Sequence, residues 1–134
     1  MLSDLFRSDV RRHGDVDWIT LRGELDAATV TLLRDTLTQV DVEADGWIVV
    51  DLRDLTFIDT AGARELWRMQ LETDRPVRIV EGSRAVMAVL EILEYDRLLD
   101  IVPAGSPQPA TVVAEDVRPG SDASSQGSAL PTTR

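Results

Sequence analysis

The chain has 134 residues, 43% hydrophobic and 28% charged, enough for one modest domain with a real core and too few for two. Its 14 basic residues are all arginine and stand against 24 acids, a formal net charge of −10 that opposes nucleic-acid phosphates and anionic lipid surfaces. With neither cysteine nor lysine, disulfide frameworks, thiolate zinc sites, cysteine nucleophiles, P-loop phosphate binding and Schiff-base catalysis are excluded together.

No apolar run approaches the roughly 18 residues of a membrane span. The start MLSDLFRSDVRRH also lacks an apolar signal-peptide core, so no membrane insertion is expected and the cytoplasm is the expected compartment. Leu5 to Arg12 and Val16 to Gly23 flank the turn His13-Gly14-Asp15, which predicts a β-hairpin. From Asp26 the period turns helical: Val30, Leu33, Leu37 and Val40 follow an aspartate placed to cap the first turn, and the helix is expected to end near Asp41. Trp47 to Leu52 is a β-branched apolar run closed by an acid, as in a central strand buried on both faces.

A second helix is predicted from Ala61 to Thr73 with Leu66, Trp67 and Leu71 inward, and Pro76 opens a strand from Val77 to Val80. Ser83 is placed to cap a third helix whose buried stripe is Val86, Val89, Leu90 and Leu93, and Leu98 to Val102 closes as a short strand. The order β-β-α-β-α-β-α-β implies an α/β domain over residues 1–102, with a mixed sheet of four to five strands and helices mainly on one face. That domain holds 12 arginines against 21 acids. Pro103 to Arg134 carry five of the six prolines with Ser, Gly and Ala, a composition too poor in apolar surface to offset chain entropy, so a disordered tail is expected.

The most informative stretch joins the buried strand Ile48–Leu52 to Asp59-Thr60-Ala61-Gly62 at a helix start. Read plainly, Asp59 or Thr60 caps the helix and Gly62 permits close packing. Read functionally, a hydroxyl at a helix amino terminus can carry a phosphate beside free N–H groups, and small Ala61 and Gly62 leave Thr60 open to a partner. Other residues have plainer readings. His13 reads as a solvated turn residue, since no serine is placed against it. Asp51, Asp54 and Asp59 invite a magnesium site but suit turns and caps better. Trp47 and Trp67 read as core. Arg64 and Arg68, four apart, share a helix face open to an acidic partner or to water.

Gly23-Glu-Leu-Asp26 before a helix, Val50-Asp-Leu52 in a strand and Phe57-Ile-Asp-Thr-Ala-Gly62 before the next helix resemble the STAS domain, the module of anti-sigma factor antagonists, over about Leu5 to Val102. The resemblance implies a stress-response transcription regulator rather than an enzyme. It would need no cofactor of its own, and would bind an anti-sigma factor that is also a GHKL-type serine/threonine protein kinase. It further implies that Thr60 stands where antagonists usually carry a phosphorylated serine. Asp26, Asp59, Ala61, Gly62 and Arg64 would then surround it at the partner surface. Threonine departs from that pattern through its extra methyl and stiffer χ1. Asp-Thr-Ala-Gly equally resembles the STAS subunit that docks on the ATPase of phospholipid-trafficking ABC transporters, and threonine acceptors also occur in STAS subunits of large stress-signalling assemblies.

Overall fold

A computed structural model describes residues 5–105; the expected tail lies, from residue 106 onward, outside the described residues. The elements are β1 (Phe6–His13), β2 (Val16–Leu25), α1 (Val30–Leu37), β3 (Ile48–Ile58), α2 (Thr60–Leu71), β4 (Val77–Val80), α3 (Arg84–Ile92), a 3₁₀ turn (Tyr95–Arg97) and β5 (Ile101–Val102). The five strands lie side by side in chain order, β1 antiparallel to β2 and every later pair parallel. Because the order never reverses, right-handed crossovers lay α1, α2 and α3 on the same face of the sheet. The sheet therefore has no switch-point crevice of the doubly wound kind, and any site must be built by residues leaving the strand ends.

One core fills the space between sheet and helices, with Ile19, Leu21 and Leu25 of β2, Ile48, Val50 and Leu52 of β3, and Leu33, Leu66 and Leu90 of the three helices. The second face of the sheet is covered differently. Val16, Val49 and Val80 are buried there beneath half-buried Trp18 and Trp47, and the Arg78 guanidinium lies 4.4 Å from the centre of the Trp47 ring. So β3 is buried on both faces as its sequence predicts, although helices cover only one. Trp47 is a lid on that second face rather than a core strand residue.

The hairpin register runs from Phe6↔Gly23 to His13↔Val16, with exposed His13 closing it at the turn. Gly23 has φ +91°, and a Cβ there would collide with the Leu5 carbonyl oxygen, so the strand can cross its neighbour at this point only as glycine. Both outer strands are unfriendly to further pairing: β1 alternates Arg7, Asp9 and Arg11, and β5 is two residues long before Pro103.

Several boundaries differ from the sequence expectation: the central strand runs on from Leu52 to Ile58, the first helix ends at Leu37 rather than near Asp41, and other differences are local. The first helix begins at Val30, not at Asp26, because residues 26–29 form a turn of their own. Leu71, expected to face inward, is 64% exposed at the last residue of α2, while Met69 in the same turn is buried. Only Ile101 and Val102 pair with β4, while Leu98 and Leu99 belong to the preceding turn, where Leu99 is buried.

Below the sheet, at the amino ends of the parallel strands, one buried side chain ties the loops together. All five N–H groups of the Arg75 guanidinium are engaged. They donate to the carbonyls of Asp15 (3.1 Å), Asp41 (3.0 Å), Gly46 (3.1 Å) and Trp47 (3.0 Å), and to Asp17 Oδ2 (2.6 Å).

Candidate functional site

The candidate site forms at the opposite end, where β2 and β3 stop in register at Leu25↔Ile58. The next residues, Asp26 and Asp59, leave the sheet side by side, joined by the Asp59 N–H donating to the Leu25 carbonyl at 3.2 Å. Asp26 then folds a closed turn: its Oδ1 accepts from the backbone N–H of Ala28 (3.0 Å) and Thr29 (3.1 Å). The buried Thr29 hydroxyl accepts from the Asp26 N–H (3.0 Å) and donates to the Glu24 carbonyl (2.7 Å). This threonine lock has a sequence signal, a Thr three residues after an Asp, which fits an Asx or ST turn as well as a helix cap.

Asp59 settles which residue caps α2. Its backbone is extended and its Oδ1 accepts from the Gly62 N–H at 3.0 Å, satisfying one of the free donors of the first turn. Thr60 is therefore the first helical residue, with its side chain exposed and free of capping duty. Gly62 is buried because α2 sits directly on the end of β2: a Cβ at this position would lie 2.5 Å from the Leu25 carbonyl oxygen and 2.8 Å from Ile58 Cγ1. Arg64, one turn beyond Thr60 on the same side of α2, is exposed. Arg68 instead turns toward the buried Glu65 carboxylate (3.8 Å), which also accepts from Arg34 of α1 at 2.9 Å. Asp26, Asp59, Thr60, Ala61, Gly62 and Arg64 thus gather at one end of the sheet.

Asp54 and Asp51, which the sequence grouped with Asp59, have separate partners. Asp54 pairs with Arg22 at 3.2 Å. Asp51 is chelated by Arg53, whose Nη2 donates at 2.7 Å and whose backbone N–H donates at 3.0 Å. Burial pushes the Asp51 carboxyl up, but the side-chain and backbone hydrogen bonds and the charge of Arg53 outweigh it and hold the group below its ordinary value. Among the described residues no three potential metal ligands come together.

A carboxyl whose value is depressed by folding stabilises the fold at every pH above its unfolded value, near 3.9 for aspartate, and that contribution disappears as the pH falls through the folded value. Acidification from about pH 5 to pH 2 should therefore lower the melting temperature of the wild type more than that of Asp51→Asn, as followed by circular dichroism. Parallel curves would mean that Asp51 plays no part in acid unfolding.

Sequence reasoning missed the surface beside Thr60. An open depression of 480 Å³ is lined by Thr60 and Trp67 of α2 together with Leu93, Glu94, Tyr95, Arg97 and Leu98. Trp67, read from its sequence as core, is half-buried and forms part of this wall. The depression joins residues more than thirty positions apart, and no local motif announces it.

A family model described as Mlab, STAS domain, matches residues 8–103. No curated protein matches the sequence. An anti-sigma factor antagonist from Mycobacterium paratuberculosis superposes with a TM-score of 0.68 at 18% identity, over 84% of this chain and 97% of that one. The anti-sigma factor antagonist SpoIIAA in its unphosphorylated form gives 0.55 at 21% identity, over 75% and 89% of the two chains. The structure of SLC26A9 gives 0.61 at 14% identity and is matched over 26% of its own length. Among the described residues no helix is long and apolar enough to cross a membrane. The solved structures share the fold at these identities, the family model runs from β1 through β5, and the chain belongs to the STAS domain family.

Proposed function

We propose that the protein is an anti-sigma factor antagonist that binds an anti-sigma factor kinase through the end of the sheet around Thr60 and is released when Thr60 is phosphorylated. The observation that carries this reading is the division of labour at the start of α2. Asp59 caps the helix, so the exposed Thr60 hydroxyl has no structural task and stands free for modification. Likeness in fold to two anti-sigma factor antagonists, over most of their length, supports it.

The chemistry is a phosphoryl transfer for which the kinase supplies ATP, magnesium and base. Thr60 Oγ1 bonds to the γ-phosphorus, the bond to ADP breaks, and the hydroxyl proton goes to the kinase. The added phosphate carries roughly −1.5 to −2 charges. On the protein itself it meets the amino end of a helix, a favourable neighbour. Against an acidic or apolar partner surface it meets repulsion and desolvation instead, so binding responds while folding does not.

Thr60→Ala should bind a purified GHKL-type anti-sigma kinase of the same organism as wild type does, yet accept no phosphate from it. Thr60→Glu should lose at least tenfold in affinity, about 1.4 kcal/mol, at an unchanged melting temperature. Calorimetric titration and a thermal melt of the three proteins check this, and equal affinities would sink the switch. A second reading, docking on the ATPase of a phospholipid-trafficking ABC transporter, is favoured by the threonine in Asp59-Thr60-Ala61-Gly62. It predicts binding to such an ATPase without phosphate transfer.

A further inference from the structure

Glu94 follows α3 in the left-handed region, φ 64° and ψ 19°, and is the one non-glycine residue with positive φ among the described residues. Its N–H donates to the Glu91 carbonyl at 3.0 Å, ending the helix in the manner that ordinarily selects glycine or asparagine. A backbone strained at a side chain that could be dispensed with points to a use for that side chain. Glu94 is exposed and lines the depression that also holds Thr60, between the apolar walls of Trp67, Leu93 and Leu98 and close in sequence to Arg97. Neither Glu94 nor Arg97 enters an ion pair among the described residues. Next to them Ile92 is 78% and Leu98 45% exposed.

We propose that this depression is the surface on which the kinase is recognised, and that it takes a kinase segment with an apolar anchor flanked by a basic group opposite Glu94 and an acidic group opposite Arg97. The inference rests on the antagonist reading above and adds to it the residues that choose the partner. An apolar floor supplies area that any hydrophobic segment could cover. Two unpaired charges of opposite sign on its rim admit only a segment carrying the complementary pair in the right order, because the wrong order places like charges together.

The test titrates the purified kinase into four proteins: wild type, Glu94→Gly, Glu94→Gln and Thr60→Glu. Glu94→Gly removes the backbone strain and should melt at or above the wild-type temperature. Glu94→Gln keeps the backbone and removes only the charge, and should melt with wild type. Both should bind at least tenfold more weakly, and the difference from wild type should shrink as salt is raised. If both Glu94 variants bind like wild type while Thr60→Glu still binds weakly, the docking surface is overturned and the switch stands. If the Glu94 variants are weak but Thr60→Glu is not, the surface stands and the switch falls. A wild type that does not bind the kinase overturns both.

Discussion

Arg75→Met should cost about 3–5 kcal/mol of stability, the usual consequence of stripping one partner from a buried, hydrogen-bonded charge. For a domain of this size that lowers the melting temperature by on the order of 15 °C or more. Methionine fills much of the arginine volume but offers no donor, so the carbonyls of Asp15, Asp41, Gly46 and Trp47 lose a partner together. Asp17, 4% exposed, keeps only Arg12 at 2.7 Å. Asp17→Asn should be milder, because it leaves the four carbonyl bonds in place. A chemical denaturation series on both variants checks the order, and Arg75→Met unfolding within about 1 kcal/mol of wild type would show that the loops hold without it.

Gly62→Ala is the second large effect. The new Cβ would meet a backbone oxygen, Leu25 O at 2.5 Å, which has no rotamer by which to move aside. The start of α2 must lift from β2, at a cost of about 1–3 kcal/mol. The lift also drags the Gly62 N–H away from Asp59, so the cap weakens as well. Arg64→Ala, one turn from Thr60 on an exposed face, should stay within about 0.5 kcal/mol of wild type and serves as the control. Should Gly62→Ala melt with Arg64→Ala, the contact between α2 and β2 is looser than the structure has it.

What could be read from the sequence was what is local. The run Ile48–Leu52 announces a buried strand by its own composition, and Ser83 caps α3 with its hydroxyl accepting from the Val86 N–H at 3.2 Å, as its position suggested. The place of Thr60 at an exposed helix start was legible because strand, cap, hydroxyl and small residues follow one another within fifteen positions. Arg75 was not, because an arginine before a proline looks like any loop residue until four distant carbonyls converge on it. Glu94 was illegible for a related reason: its significance is a backbone angle, and its neighbours in space come from another helix. Asp26 misled because the same carboxylate suits a helix cap and a turn, and the buried Thr29 hydroxyl decides between them.

The two outer strands bear on how the molecule behaves among copies of itself. A mixed sheet with free flanks is a template for strand addition, and a long apolar flank would zip molecules into filaments. Here one flank ends after two residues at a proline, which has no N–H to offer, and the other carries Arg7, Asp9 and Arg11, charges that an added strand would have to desolvate. Both flanks therefore disfavour strand addition, so copies of the molecule that meet edge to edge gain little by extending one another's sheet.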